Sequence, residues 1–208
     1  MAPIPNVIEQ PAGDHIPIAI AASATVEAIK ASVDSKLAIW GLQLKEHGPQ
    51  TLADIVMPES YDAATLTVDG EAIEIVDANG MPNRRYLWSP TLRAVFGGVL
   101  IFSGVHVWTA DTKGAEQRAA WRSNLDAIAA RAPDVVVPGH MATTAKPDAS
   151  AIAHTKAWLA AFEQELPKAK DAAALIDAIK ARYPDADMGI AIDIGAKVAK
   201  GEMAWGKP

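Results

Sequence analysis

Residues 97–112 read GGVLIFSGVHVWTADT, and residues 135–140 read VVVPGH. Each segment is a short apolar run that leads into a glycine-containing turn and presents a histidine, His106 in the first and His140 in the second. Continuous apolar runs of this length are typical of strands that are buried on both faces. Because open α/β sheets bind ligands at the carboxyl ends of their strands, the two segments predict both a sheet and the place of a site.

Regular elements are also predicted on the amino-terminal side of these segments. Apolar residues recur at helical spacing between residues 25 and 40, which predicts an amphipathic helix closed by Gly41. Residues 41–60 are expected to form a loop with short pieces of regular structure. Asp69 and Gly70 stand between two alternating segments, the pattern of a β-hairpin. Short strands are then expected within residues 84–88, 92–96 and 99–104.

The carboxyl-terminal half is predicted to alternate strand and helix. A helix capped by Asp111 or Thr112 ends before Pro133, a buried strand follows at residues 134–137, and two more amphipathic helices complete the tail. The apolar faces of the three helices are formed by Trp121, Leu125 and Ile128, by Ile152, Leu159 and Phe162, and by Leu175, Ile176, Ile179 and Tyr183. This pattern predicts a layered α/β fold, and we expect a single domain over residues 1–208.

Composition excludes several classes of protein. The chain has 19 basic and 25 acidic residues, and its formal net charge of −6 has the wrong sign for binding nucleic acid or an anionic membrane. It contains no cysteine, which excludes disulfides, thiolate zinc sites, iron–sulfur clusters and a cysteine nucleophile. The first thirty residues lack the pattern of a signal peptide, so we expect a cytoplasmic location.

His140 is the first candidate site residue. At the end of a strand its imidazole can bind a metal or act as an acid or base, and the alternative is a turn histidine bonded to a neighbouring loop. His106 and Asp111 are further candidate metal ligands. Asp111 is also explained as a helix N-cap, and His106 as a hydrogen-bonded histidine of the core.

For other candidate site residues the surrounding sequence gives weaker support. Trp88 and Trp108, together with Phe102, are candidate contacts for a small apolar ligand, and the alternative is that they belong to the core. Asp14 and His15 form either a metal pair or a polar turn before a strand at residues 16–20. The two other histidines, His47 and His154, are interpreted as surface residues.

Several motifs that would indicate an enzyme class do not occur. The chain contains no HxH, HxxxH or HExxH spacing, so no local metal-ligand motif stands in the sequence. It also contains no GxSxG, GxGxxG or GxxxxGK[ST] motif. Serine hydrolases, Rossmann oxidoreductases and nucleotidases therefore have no support.

A longer combination of motifs runs through residues 87–140. GGVLIFSGVHVWTADT is followed by a helix that contains Trp121 and NLDAI, and then by APDVVVPGH. This combination resembles the carboxyl-terminal half of the metallo-β-lactamase-fold hydrolases, and HTKAWLAAFEQEL, ALIDAIKARYPD and GAKVAKGEMAW resemble the tail of the same branch. The resemblance implies an α/β fold, an αββα sandwich of two similar halves with a metal site at their shared edge.

The resemblance implies a metal site most of whose ligands are absent from this chain. The main family ligands lie in an HxHxDH motif of the first half, which nothing here matches. Where the family has a histidine after the central hairpin, this chain reads DANGMPNRRY, and in place of the bridging aspartate it reads FGGV, with Gly98 and Val99. Only the PGH ligand carries over, onto His140. Zinc is the implied metal, and the missing ligands leave open that no metal binds.

These observations predict a metallo-β-lactamase-like domain truncated at its amino-terminal half. It would be a hydrolase by ancestry and not competent alone, because one histidine cannot hold a catalytic zinc. The alternative is a small-molecule-binding or assembly protein that uses the remnant cleft or an exposed sheet face. Since a half-sandwich exposes an apolar face, we expect a homodimer or higher oligomer built around strands near residues 66–76 or 92–102.

Overall fold

A computed structural model describes residues 6–8 and 18–205, with the side chains of residues 19–205. The chain divides into two compact units, one that ends at Ala63 and one that begins at Ala64. The single domain expected over residues 1–208 stays a prediction. Asp14 and His15 lie outside the described residues.

The first unit contains a small sheet and one long helix. Its elements are β1 (Asn6–Ile8), β2 (Ile18–Ala21), α1 (Ser23–Leu44) and β3 (Glu59–Ser60), with β2 antiparallel to β1 and parallel to β3. Two short 3-10 helices, Lys45–His47 and Leu52–Asp54, lie in the predicted loop. The helix predicted at residues 25–40 is confirmed.

Gly41 does not end α1, contrary to the sequence prediction. The helix continues to Leu44 and ends at Lys45, whose φ of 48° is left-handed. Gly41 is buried and its carbonyl accepts a hydrogen bond of 3.3 Å from the side-chain amide of Gln50, which also bonds the Lys45 carbonyl. The Gly41 carbonyl also accepts from the Lys45 N–H and the Lys45 carbonyl from the Gly48 N–H, so the Gln50 amide adds a second donor to each carbonyl.

The second unit is built on a five-stranded sheet. Its strands are β4 (Thr65–Val68), β5 (Glu71–Asp77), β6 (Arg85–Ser89), β7 (Ala94–Phe96) and β9 (Val135–Val137), in the order β4-β5-β6-β7-β9. Neighbours are antiparallel except β7 and β9, which are parallel. The predicted hairpin is confirmed, because Asp69 (φ 51°) and Gly70 (φ 84°) form the left-handed turn between β4 and β5. Two shorter strands, β8 (Phe102–Ser103) and β10 (His140–Met141), form a separate parallel pair.

Four helices accompany this sheet. They are α2 (Ala115–Ala130), α3 (Ser150–Glu165), α4 (Ala172–Arg182) and α5 (Gly189–Ala199). Core side chains of the sheet face, Tyr86, Trp88, Val95 and Val136, belong to one hydrophobic cluster with side chains of all four helices. In the described part of the chain no helix is both long enough and apolar enough to cross a lipid bilayer.

One of these helices begins later than predicted, and another was not predicted. Helix α2 begins at Ala115 with Gly114 as its N-cap, so neither Asp111 nor Thr112 caps it. The sequence analysis missed α5, because IAIDI alternates apolar and small or polar residues in the manner of a strand. Only the tertiary packing of Ile192 and Ala196, which are both fully buried, shows its helical face.

The opposite face of the sheet carries a second apolar row. Strand register places Ile75, Leu87, Phe96 and Val137 side by side across β5, β6, β7 and β9. Phe96 is 38% exposed, and Val135, two residues before Val137 on the same strand, is 40% exposed. The sheet is therefore apolar on both faces, unlike a sheet with one solvated face.

Candidate functional site

The PGH turn brings two backbone segments into close contact. The Gly139 N–H donates to the carbonyls of Gly98 (3.0 Å) and Ile101 (3.1 Å). A Cβ on Gly139 would overlap the Gly98 carbonyl oxygen, while the φ of Gly139 is not positive. Glycine is thus required here for close approach of the two backbones, and not for the left-handed conformation that a sharp turn often needs.

His140 follows this turn as the first residue of β10. Its imidazole stacks on the ring of Phe102, with 4.9 Å between ring centroids and 22° between planes. The side chain is half-buried, and burial lowers the pKa of the imidazole. Among the described residues it has no hydrogen-bond partner, and its nitrogens are in contact with solvent. The lowered pKa favours the neutral imidazole, the form that binds a metal or accepts a proton.

His106 is buried in the core and hydrogen-bonded there. It is 2% exposed, its Nδ1 accepts a hydrogen bond of 3.1 Å from the indole N–H of Trp158, and its backbone N–H donates to the Asp187 carbonyl. Because Nδ1 is the acceptor, the proton of the neutral ring is on Nε2. Burial is the largest cause that lowers the pKa of this imidazole. The burial of the ring and the hydrogen bond at Nδ1 favour the alternative of a core histidine.

The Asp111 carboxylate accepts hydrogen bonds from two tryptophans. One carboxylate oxygen accepts from the indole N–H of Trp108 and the other from that of Trp205, both at 2.9 Å. The two indoles meet edge to face with centroids 5.2 Å apart, and the Arg84 guanidinium lies 3.7 Å from the carboxylate. The carboxylate thus anchors the carboxyl-terminal segment to the loop before α2, which explains why it does not cap that helix.

The segments GGVLIFSGVHVWTADT and VVVPGH meet at β8 and β10. These strands are parallel, with Phe102 opposite His140 and Ser103 opposite Met141, and the Ala142 N–H donates to the Ser103 carbonyl at 2.9 Å. The chain therefore leaves both strands at the same end. Beyond this point, His106 and Asp111 direct their acceptor atoms to tryptophans and not to His140.

The remaining candidates have structural partners. Trp88 is 8% exposed in the core, with the Arg131 guanidinium 5.4 Å from its ring centroid. The interpretation of His154 as a surface residue is wrong, because its Nε2 lies 2.9 Å from the Val105 carbonyl and its ring packs edge to face on Tyr183. His47 is exposed, as predicted.

Sequence reasoning missed the contribution of Thr155. The hydroxyl of this fully buried residue of α3 bonds the backbone of Phe102, the residue under His140. A signal was available in the sequence, because Thr155 falls at helical spacing between Ile152 and Leu159 on the predicted apolar face. A hydroxyl at the centre of such a face needs a buried partner.

No protein-family profile and no curated protein matches this sequence. Among solved structures, it is similar to a metallo-beta-lactamase family protein from Thermus thermophilus, with a TM-score of 0.52 and 13% identity over 89% of this chain and 66% of that one. VMB-1 aligns with a TM-score of 0.44 and 20% identity over 68% of this chain and 55% of its own length. A metallo-beta-lactamase from Pontibacter korlensis aligns with a TM-score of 0.41 and 17% identity, covering 69% and 68% of the two chains.

This protein has a metallo-β-lactamase fold. The likeness to the Thermus thermophilus protein supports that statement for the fold alone, and the fold expected from the sequence resemblance is confirmed. The chain spans 55% of the length of VMB-1 and 66% of the length of the Thermus thermophilus protein.

The described residues do not fit the zinc that a metallo-β-lactamase fold implies. They contain no group of three or more His, Asp or Glu side chains placed to hold a metal ion. Catalytic zinc takes three protein ligands and keeps one position open. His140 supplies one imidazole, the Nδ1 of His106 already accepts from Trp158, and the Asp111 carboxylate, which the Trp108 and Trp205 indoles hold, lies in no such group. This donor set alone cannot form a zinc site.

The close contact at the PGH turn predicts that Gly139→Ala destabilises the protein. The added methyl group has to displace backbone, so the free energy of unfolding should fall by about 1–3 kcal/mol, the usual range for overpacking. Gly189→Ala is the matched control, because a Cβ there meets no atom within 4 Å. Urea unfolding measures both variants, and equal stability of the two would contradict the argument.

The burial of His106 predicts a pH-dependent stability. Its pKa is lowered in the folded state, so the unfolded state binds more protons and the free energy of unfolding falls as the pH drops below about 6.5. Protonated Nδ1 would face the Trp158 N–H, and the charges of Lys180, Asp193 and His154 also act on the ring. His140 contributes with the same sign.

His106→Asn tests this prediction, since an amide oxygen can still accept from Trp158 but does not titrate. Urea unfolding between pH 5 and 8 should show a shallower decline at low pH, by at most about 1.4 kcal/mol per pH unit for one proton. His47→Ala, which changes an exposed histidine, should leave the decline as it is. If His106→Asn leaves the fall in the free energy of unfolding unchanged, groups other than His106 cause the pH dependence.

Proposed function

We propose that this chain is the carboxyl-terminal part of a metallo-β-lactamase-like hydrolase, that His140 is one of its metal ligands, and that the chain alone does not catalyse hydrolysis. One observation carries the proposal: His140, the first residue of β10, presents an imidazole that stacks on Phe102 and has no hydrogen-bond partner among the described residues. In the sequence resemblance this histidine matches the last ligand of the family. The likeness in overall fold supports the proposed hydrolase ancestry.

The lack of competence follows from the donor set. Gly98 and Val99 stand where the resemblance expects the bridging aspartate, and they offer no side-chain donor. The Nδ1 of His106 could bind a metal only after losing its hydrogen bond to Trp158. The Asp111 carboxylate belongs to no group of three possible ligands among the described residues. Any further ligands would therefore come from outside the described residues or from another chain.

Zinc titration tests the role of His140. In NMR spectra of the chain, added zinc should shift the imidazole resonances of His140 with weak affinity, because one ligand cannot hold the ion tightly. His140→Ala should abolish this response, whereas His47→Ala should leave it intact. Zinc-induced shifts confined to other histidines would contradict the assignment of His140.

Zinc content and turnover test the lack of competence. After purification without chelator, the chain should contain less than one zinc ion per molecule and should not hydrolyse β-lactam, thioester, lactone or phosphodiester probes. Stoichiometric zinc together with turnover that His140→Ala removes would overturn the claim that the chain is inactive alone.

A second candidate function, assembly, is favoured by the outer face of the sheet. We propose that two copies of this chain pair through the row formed by Ile75, Leu87, Phe96 and Val137. Strand spacing and rise give this face roughly 300 Å² per copy, which is less than the ~800 Å² per partner of a standard interface. The twofold pairing of identical patches should therefore give a weak homodimer.

The assembly proposal predicts a concentration-dependent mass. Light scattering between 1 and 100 µM should show a rise from the 21.9 kDa of the monomer toward twice that value. Phe96→Thr should weaken the association, because it removes the largest exposed side chain of the row. Leu92→Thr is the control, since Leu92 is 65% exposed but lies outside the strands. A mass that stays at the monomer value would refute the pairing.

A further inference from the structure

The hydroxyl of Thr155 takes the place of a neighbouring strand for Phe102. Thr155 lies on α3 and is fully buried. Its Oγ1 accepts a hydrogen bond of 2.9 Å from the Phe102 N–H and lies 2.9 Å from the carbonyl oxygens of both Phe102 and Ala151. One side chain thus contacts both polar backbone groups of one strand residue, which a strand partner would otherwise satisfy.

Phe102 in turn supports the imidazole of His140. The two residues are paired in register between β8 and β10, and their rings are stacked. Phe102 is fully buried and cannot move freely, because the Trp121 ring lies 6.0 Å from its own and the Trp121 indole N–H donates to the Leu100 carbonyl. The position of the Phe102 backbone therefore determines the surface on which the imidazole lies.

We propose that Thr155 is a positioning residue for His140. Its hydroxyl holds the backbone of Phe102, and this backbone determines where the Phe102 ring lies. The ring in turn determines the plane of the stacked imidazole, whose nitrogens face solvent. The inference rests on the proposed function in one respect, namely that His140 is the ligand. It adds a residue of α3 that does not itself touch the metal or the substrate.

Without these hydrogen bonds, a threonine at position 155 would destabilise the fold. A buried hydroxyl on an apolar helix face is destabilising unless it is hydrogen-bonded. The Ala151 carbonyl of the same helix could satisfy the hydroxyl proton, but it cannot account for the hydrogen bond that Oγ1 accepts from Phe102. The bond to β8 is the contact that a valine of similar shape would lose.

The test is the ring-current shift of His140 in the full chain. Protons above the face of an aromatic ring resonate upfield, so the stacked His140 protons should be displaced upfield, and their signals are assigned by their disappearance in His140→Asn. We expect Thr155→Val to remove most of this displacement and Thr155→Ser, which keeps the hydroxyl, to restore it. Thr91→Val, at an exposed threonine, is the control and should leave the His140 signals unchanged.

The outcomes separate positioning from mere stabilisation. If Thr155→Val lowers the unfolding temperature while the His140 signals stay in place, Thr155 is only structural and the proposal is overturned. If the valine variant does not fold, the comparison is made between Thr155→Ala and Thr155→Ser by the same readout. These spectra are recorded without metal, so they are independent of the zinc titration. If His140 does not bind zinc, the positioning role of Thr155 can still be confirmed, and if Thr155 does not position His140, zinc binding is still tested.

Discussion

The packing around Phe102 is the constraint on which the site depends. This one fully buried residue is hydrogen-bonded to helix α3 through Thr155, is packed against Trp121 of α2, and supports His140 on its ring. The adjoining PGH turn approaches the backbone of Gly98 so closely that only glycine fits. Helices α2 and α3 and the candidate ligand therefore all contact Phe102, so a shift of β8 would displace His140 and disturb both helix contacts.

Indole N–H groups distinguish His140 from the other candidate ligands. Trp158 occupies the acceptor of His106, and Trp108 and Trp205 occupy both carboxylate oxygens of Asp111. Nδ1 of His106 is buried, so its release would leave the Trp158 N–H unsatisfied at a cost, whereas the exposed Asp111 carboxylate is held in place by its two indole donors. Hydrogen bonding in the fold thus removes His106 as a ligand and orients Asp111, while His140 has no hydrogen-bond partner among the described residues.

The parts of the fold that local pattern governs were predicted well. The hairpin at Asp69 and Gly70 and the helices with regular apolar spacing follow from periodicity and turn chemistry, which act over a few residues. The prediction failed where a distant group decides the outcome. Asp111 resembles a helix cap until Trp205 is placed beside it, and His154 resembles a surface residue until Val105 and Tyr183 are in contact with it.

The sequence by itself determined the fold class, the strand that leads to His140, and the absence of a local metal-binding motif. Only the tertiary structure decided which acceptor atoms are free. The partner of His106 is 52 residues away along the chain, and the second partner of Asp111 is 94 residues away. Hydrogen bonds over such separations leave no local spacing to recognise, because they form only after the sheet and the helices have packed.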